Sequence, residues 1–285
     1  MSQIVSSLRC LVAFLLLAGA GAQAGQGDAG PPPDRPVLHT LFVPAEGWAY
    51  QDESGRLTGV TVEIMRAFAA WLGTEHSLQP RLEFEAEQDW SVFYARVRAG
   101  SGSLFGLGNV TITDQRAEEL AFSPPYLQNV AVLISPATTA SEVQPDTMAS
   151  DFEGLRALAF ADTLHEQRLR ALGQDYWPDL VIDRAGSNQA ILEAVAAGTH
   201  FAYLDVYNVY RAREQGMALQ RHPAFDDPGE TFGIIMPLDN PWRDELQAFF
   251  QADGGLMQRR WYADLLAHHL GSRVAELLVP SPPAE

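Results

Sequence analysis

Short apolar runs and amphipathic stretches alternate along this chain, and that alternation is the feature that most constrains its fold. Runs typical of buried strands at 37–43, 105–111 and 130–135 are separated by stretches whose apolar residues recur at helical spacing. A second series of the same kind begins at 156–160. Strands that alternate with helices predict an α/β protein in which mostly parallel sheets are flanked by helices.

The two series predict two lobes rather than one continuous sheet. We expect residues 37–129 to form most of a first lobe, 130–229 an inserted second lobe, 230–272 a return to the first lobe, and 273–285 a tail. Ligands of such folds bind at the carboxyl ends of the strands, often between domains. Polar residues that follow the predicted strands are therefore the first candidates for a site.

The N-terminus has the pattern of an export signal. Arg9 precedes an apolar core at 11–18, and a small-residue cleavage site follows. That core is too short to span a bilayer. We expect a signal peptide at 1–24 and a Gly/Pro-rich linker at 25–36, so that the mature protein is periplasmic. The one cysteine, Cys10, lies inside this signal, which leaves the mature chain without a disulfide or a Cys-based metal site.

The charge balance and the missing motifs narrow the function classes. The 19 basic residues face 36 Asp and Glu residues, and the net charge of −17 disfavours nucleic acid as a partner. No HExxH, G-x-S-x-G, P-loop or dinucleotide-binding pattern occurs. We therefore predict no catalytic residue, no metal and no cofactor.

Arg116 follows a strand-like run that ends in Thr111 and Thr113, and it belongs to a short predicted helix. Free N–H groups and the positive dipole end make a helix N-terminus an anion site, and a guanidinium adds a two-pronged fork for a carboxylate. Ion pairing with Glu118 or Glu119 explains the same residue equally well from spacing alone. The pattern leaves both interpretations open.

Asp205 ends the apolar run 201–204, where a buried carboxylate is costly unless it is paired. A ligand ammonium would be a fitting partner. The pattern alone somewhat favours a different role, the N-cap of a helix that starts near Tyr207, and one residue could do both. Trp48 and Tyr50 lie in the first long loop, where aromatic side chains either stack on a ligand or cover the core. We interpret them as cleft residues.

Five segments resemble the periplasmic solute-binding proteins of family 3, the amino-acid receptors of ABC importers. The most specific is GNVTITDQRAEELAFSPPY at 108–126, which resembles the family signature G-x-T-I-T-x-x-R followed by F-S-x-P-Y. The others are 55–63, 152–154, 198–205 and 255–261, in the family's order. Together they place the resemblance across nearly all of the chain after the linker.

The resemblance implies a type II two-lobe clamp whose lobes are joined by two crossover strands, here 128–132 and 230–233. Ligand binds between the lobes and shifts the balance toward the closed form. The resemblance also implies binding roles for residues of both lobes: Arg116 grips the ligand's α-carboxylate, Thr111 and the backbone around Asn109 add hydrogen bonds, Asp205 takes the α-ammonium, and Trp48 covers the ligand's side chain.

The function implied by the resemblance is capture of a small amino-acid-like ligand by a periplasmic monomer, for delivery to the membrane permease of an ABC importer. Two alternatives remain on the same scaffold. One is an enzyme that resembles the periplasmic cyclohexadienyl dehydratases. The other is an accessory or sensor protein that reports ligand to a membrane partner.

The chain departs from the family where the second lobe usually offers G-T-T or G-S-T to the carboxylate. Asp162, Thr163 and Leu164 stand at those positions. Thr163 can still donate to a ligand, but Asp162 places a negative charge where glycine is expected, and Leu164 removes the second hydroxyl. A carboxylate ligand that is not an α-amino acid therefore stays open. The negative net charge and Asp162 lead us to expect a basic or neutral ligand rather than an acidic one.

Overall fold

The structure, a computed structural model, describes residues 35–278. The predicted signal peptide at 1–24, the predicted linker up to residue 34 and the predicted tail after residue 278 lie outside the described residues. The described chain contains two large sheets and a two-stranded ribbon, with helices packed against both sheets. The predicted α/β class is confirmed. No helix within residues 35–278 is both long enough and apolar enough to cross a membrane.

Thirteen strands and ten α-helices lie within the described residues. The strands are β1 (Val37–Phe42), β2 (Tyr50–Gln51), β3 (Leu57–Thr58), β4 (Arg81–Ala86), β5 (Leu104–Leu107), β6 (Ala121–Phe122), β7 (Leu127–Pro136), β8 (Arg156–Phe160), β9 (Ile182–Ala185), β10 (His200–Asp205), β11 (Leu219–Arg221), β12 (Asp227–Phe232) and β13 (Ile235–Met236). The helices are α1 (Val60–His76), α2 (Trp90–Arg98), α3 (Asp114–Ala117), α4 (Met148–Asp151), α5 (Leu164–Tyr176), α6 (Asn188–Ala196), α7 (Val206–Glu214), α8 (Arg243–Gln251), α9 (Arg260–Leu270) and α10 (Ser272–Leu278).

The first sheet has the strand order β4-β1-β5-β13-β6. Strand β1 is parallel to β4 and β5, whereas β13 is antiparallel to β5 and β6. Helix α1 buries Ile64, Phe68 and Leu72 because they recur on one face of the helix. Gly59 precedes α1 at a φ of 123°, and a Cβ there would lie 2.4 Å from the carbonyl oxygen of Trp48, so the close approach requires glycine.

The second sheet has the strand order β11-β7-β10-β8-β9. Strands β8, β9 and β10 run parallel, and β7 is antiparallel to β10. Its core is aromatic: the rings of Phe152 and Phe201 lie 4.6 Å apart, and Trp177 stacks on Phe201 at 6.0 Å. Because β8 and β10 are parallel, their carboxyl ends, at Phe160 and Asp205, open at the same edge of the sheet.

Strands β7 and β12 contain the segments that the sequence predicts as crossover strands. They pair antiparallel, with Leu127 opposite Phe232 and Asn129 opposite Glu230. An isolated bridge joins Thr111, in the chain that follows β5, to Phe232 at the end of β12. The paired strands β7 and β12 therefore connect the edge of the first sheet with the middle of the second sheet.

Two segments differ from the sequence expectation. The apolar run at 231–237, TFGIIMP, predicts one strand, but it is divided into β12 and β13, because the N–H of Gly233 donates to Val110 and the N–H of Ile234 donates to the Ser123 hydroxyl instead of to a strand partner. The predicted tail begins instead as helix α10, whose Val274 is fully buried. Apolar residues at helical spacing in this short segment were the missed signal.

Candidate functional site

A cleft of about 360 Å³ lies at the carboxyl ends of strands from both large sheets. The chain after β5 lines it from the first sheet, and the ends of β8 and β10 line it from the second. Five of the six residues expected to bind a ligand border this one cavity: Asn109, Thr111, Arg116, Thr163 and Asp205. Residues far apart in sequence are thus brought together where the fold class predicts a site.

Arg116 is fixed by its own helix and by two aromatic rings. The Thr113 hydroxyl caps α3 by accepting from the N–H of Arg116 at 3.2 Å, and the Nη1 of Arg116 donates to the Thr111 carbonyl at 2.9 Å. Its guanidinium carbon lies 5.9 Å from the ring centre of Trp90 and 5.6 Å from that of Tyr94. These contacts hold the cation in place without neutralising it.

The surface ion-pair interpretation of Arg116 does not match the geometry. Glu119 instead pairs with Arg98 at 2.8 Å and accepts from the Tyr94 hydroxyl at 3.0 Å. Among residues 35–278, no carboxylate oxygen lies within 4.0 Å of the Arg116 guanidinium. Burial lowers the pKa of Arg116 from its ordinary value, although Tyr94, Glu230 and Glu119 oppose the shift. A half-buried cation facing a cleft in this way is suited to an anionic ligand.

Asp205 occupies the N-cap position of α7, but its side chain makes no capping hydrogen bond. Its carboxylate, buried at 3% exposure, turns toward the cleft. Oδ1 accepts from the Asn129 amide at 2.6 Å, and Oδ2 accepts from the Asn109 amide at 2.8 Å. The Nε2 of His165 lies 3.3 Å from Oδ1. Asp205 therefore occupies the N-cap position, but its carboxylate does not cap the helix.

His165 is a third hydrogen-bond partner of Asp205. Its Nδ1 lies 3.3 Å from an Nη1 of Arg168, and a guanidinium can only donate. Nδ1 must therefore accept, which leaves the ring proton on Nε2, toward Asp205. Arg168 itself pairs with Glu230 at 2.5 Å and with Asp227 at 2.7 Å. The oxygens of Asp205 thus accept from two side-chain amides and one imidazole, and within residues 35–278 no Arg side chain contacts its carboxylate.

Thr163 borders the cleft, but its hydroxyl serves the second sheet. It donates to the Phe160 carbonyl at 2.7 Å and caps α5 by accepting from the N–H of Glu166 at 3.4 Å. The preceding residue, Asp162, has a left-handed backbone conformation with a φ of 61°. The glycine that the family pattern has at this position adopts that conformation readily. The Asp162 carboxylate accepts from the Ser91 hydroxyl of α2 at 3.1 Å, which is a contact across the mouth of the cleft.

Trp48 does not border the cleft. Its ring is fully buried, edge-on to Tyr207 at 5.0 Å and to Phe232 at 5.6 Å. The Trp48 carbonyl accepts from the hydroxyl of Thr61 in α1 at 2.8 Å, so the loop folds back and directs the ring into the core. The other loop aromatic, Tyr50, meets the Nδ1 of His269 at 2.9 Å, also away from the cleft.

Residues 42–271 match the sequence model of the bacterial extracellular solute-binding proteins, family 3. The chain belongs to this family. It is 30% identical over 127 residues to the membrane-bound lytic murein transglycosylase F of Saccharophagus degradans, which covers 45% of this chain and 23% of that protein. It is 28% identical over 136 residues to the L-cystine-binding protein TcyJ of Escherichia coli K12, which covers 46% of this chain and 47% of that protein.

A solved structure of an ancestral arginine-binding protein bound to arginine has the same fold. Its TM-score is 0.66 at 16% identity, and the alignment covers 84% of this chain and 99% of that one. This structural likeness confirms the predicted type II periplasmic-binding fold. By contrast, the chain spans less than half the length of the two curated relatives described here.

Sequence reasoning missed several cleft residues of this family member. Trp90 directly follows the Asp89 cap, at the end of α2 nearest the cleft, but nothing in its sequence context marks it as a neighbour of Arg116. His165 and Glu230 carry no motif, and their roles depend on contacts with distant residues. Within the described part of the chain, no group of three or more His, Cys, Asp or Glu residues is arranged to hold a metal ion.

Proposed function

We propose that this family member captures a solute bearing an α-amino-acid group in the cleft between its two sheets. The Arg116 guanidinium would bind the α-carboxylate, and Asp205 would bind the α-ammonium. Thr111 and Asn109 border the same end of the cleft and would add hydrogen bonds, and Trp90 would close the wall beside Arg116.

One observation carries the proposal: a cation and an anion border one cleft, and within residues 35–278 Arg116 contacts no carboxylate and Asp205 contacts no Arg side chain. Arg116 donates to a backbone carbonyl, and Asp205 accepts from two amides and from His165. Buried charges without ionic partners are costly, so a ligand that supplies both opposite charges gains from both. A zwitterion is the smallest solute that does this.

The relatives support the amino-acid class without fixing the ligand. The curated relative named for L-cystine binding and the structural neighbour that holds arginine both bind amino acids. We extend the proposal to delivery of the solute to the membrane permease of an ABC importer, by a monomer exported to the periplasm and lacking its signal peptide. We also propose that the protein does no chemistry, although several relatives are named as lytic murein transglycosylases.

Isothermal titration of the refolded, ligand-free protein against the common amino acids tests the proposal. We expect binding by at least one α-amino acid. Arg116→Met should weaken that binding by about 2–5 kcal/mol, because it removes one partner of a buried charge pair while keeping the apolar stem. Arg98→Met is the matched control, since Arg98 pairs with Glu119 on the surface and does not border the cleft.

Two results would contradict the proposal. One is the absence of binding by every α-amino acid, which would favour a carboxylate of another kind. The other is equal binding by Arg116→Met and the wild type. Chromatography of the ligand after incubation separates binding from catalysis, because a binding protein returns the ligand unchanged, whereas a dehydratase-like enzyme returns a product.

A further inference from the structure

The cleft contains a second pair of opposite charges. Glu46, in the loop after β1, forms an ion pair with Arg211 on α7, and both residues border the cavity that holds Arg116 and Asp205. Glu46 belongs to the chain of the first sheet and Arg211 to that of the second, so the two charges face each other across the cleft.

The geometry of α7 separates this pair from Asp205. Asp205, Asn208, Arg211 and Gln215 all border the cleft, and their spacing of three or four residues places them on one face of the helix. Arg211 lies six residues after Asp205, which corresponds to about 9 Å along the helix axis at a rise of 1.5 Å per residue. The two sets of opposite charges therefore attach to positions separated along the axis of α7.

Glu46 and Arg211, which we call the distal pair, differ in burial. The Arg211 side chain is 17% exposed, whereas the Glu46 side chain is 63% exposed. Burial lowers the pKa of Arg211, which shows that the guanidinium is partly desolvated. An ion pair with one exposed partner contributes little to stability. A ligand can therefore separate Glu46 from Arg211 at small cost, provided that it leaves neither charge unpaired.

We propose that the solute carries an α-amino-acid group at each end, the second bound with its carboxylate on Arg211 and its ammonium on Glu46. This inference rests on the proposed function, which places the first group on Arg116 and Asp205. A distal ammonium alone would leave the half-buried Arg211 unpaired, and a distal carboxylate alone would leave Glu46 unpaired. A zwitterionic end satisfies both residues at once.

Three solutes that share the carbon chain from C2 to C6 test the inference by isothermal titration. LL-2,6-diaminopimelate has both distal groups, L-lysine lacks only the distal carboxylate, and L-2-aminopimelate lacks only the distal ammonium. We expect diaminopimelate to bind about 10- to 100-fold more tightly than L-lysine, because the lost contact is a hydrogen-bonded charge pair. We expect it also to bind more tightly than L-2-aminopimelate.

Two variants assign the preference to the distal pair. Arg211→Met should bring the ratio of diaminopimelate to L-lysine affinity close to one. Glu46→Gln, at an exposed position, should do the same for the ratio of diaminopimelate to L-2-aminopimelate. Arg213→Met is the control, because Arg213 lies on the same helix, is exposed and does not border the cleft; it should leave both ratios unchanged.

Equal affinity of the wild type for all three solutes would overturn the inference, and so would ratios that persist in Arg211→Met and Glu46→Gln. These outcomes leave the proposed function intact as long as Arg116→Met still weakens binding of all three. Failure of the proposed function gives a different pattern, since then none of the three solutes binds or Arg116→Met changes none of the affinities.

Discussion

Substitution of Trp48 distinguishes two roles for this residue, since loss of a core side chain lowers stability and loss of a cleft side chain lowers ligand affinity. Its ring has 0% exposure and packs against Tyr126, Tyr207 and Phe232 with ring centres 5.0–5.9 Å apart. Removal of a buried aromatic side chain typically costs about 3–5 kcal/mol. We therefore expect Trp48→Ala to lower the free energy of unfolding by that amount and to change ligand affinity by less than about threefold, below about 0.7 kcal/mol.

Urea denaturation followed by circular dichroism measures the first quantity, and isothermal titration measures the second. Trp48→Phe, which keeps one ring against Tyr207, should show a smaller loss of stability and no loss of affinity. Trp90→Ala is the matched comparison, because Trp90 is half-buried, borders the cleft and lies beside the Arg116 guanidinium. It should weaken ligand binding more than it lowers stability.

The reverse pattern would refute the reasoning. If Trp48→Ala and Trp48→Phe abolished binding at nearly normal stability, the ring would have to cover the ligand, as the family resemblance implies. The loop after β1 would then have to leave its position on α1 when ligand binds. Its anchors, the hydrogen bond from Thr61 and the close approach at Gly59, oppose that movement.

Three further predictions concern Asp205, the contact between Ser91 and Asp162, and the buried His222. Asp205→Asn should weaken α-amino-acid binding about 10- to 100-fold in a titration, because it removes the charge and keeps the shape, and a deaminated analogue should lose less. Ser91→Ala should weaken binding two- to tenfold, by about 0.5–1.5 kcal/mol, because it removes the bond to Asp162 across the cleft; unchanged affinity would contradict this. Burial lowers the pKa of His222 to about 4 from 6.5, so below pH 6.5 the unfolded chain takes up a proton that the folded chain resists. Stability should then fall between pH 6.5 and 4 by roughly 3 kcal/mol, and urea denaturation of His222→Gln should lack that part of the fall.

The sequence predicts local features of this fold well, because their causes are local. Asp89 and Ser187 each stand directly before an amphipathic stretch, where capping residues are common, and they cap α2 and α6 by accepting from an N–H three residues later. Strand β8 has the predicted bounds, since its apolar run is short and flanked by turn residues. Arg116 also lies where the end of a strand followed by a capped helix places it.

The contacts that define the site depend on distant residues and could not be predicted in the same way. Asp205 is held by Asn109 and Asn129, which are 96 and 76 positions away in sequence. The direction of the Trp48 ring is set by Thr61 and Gly59, on the far side of a turn. A pattern within one segment shows that such a residue is a candidate, but not which of two partners it meets.

Asp162 stands where the family pattern has glycine, and its contacts in the structure change what its charge implies for the ligand. From sequence, its charge argues against an acidic ligand. In the structure Asp162 is exposed and bonded to Ser91 at the mouth of the cleft, where solvent and salt screen its field within about 8 Å at physiological ionic strength. Glu230 also borders the cleft but is paired with Arg168, so the charges left for a ligand are those of Arg116, Asp205, Arg211 and Glu46. Because these are two cations and two anions, we expect the cleft to favour a solute with balanced charges over a basic one, whatever the sign of the protein's net charge.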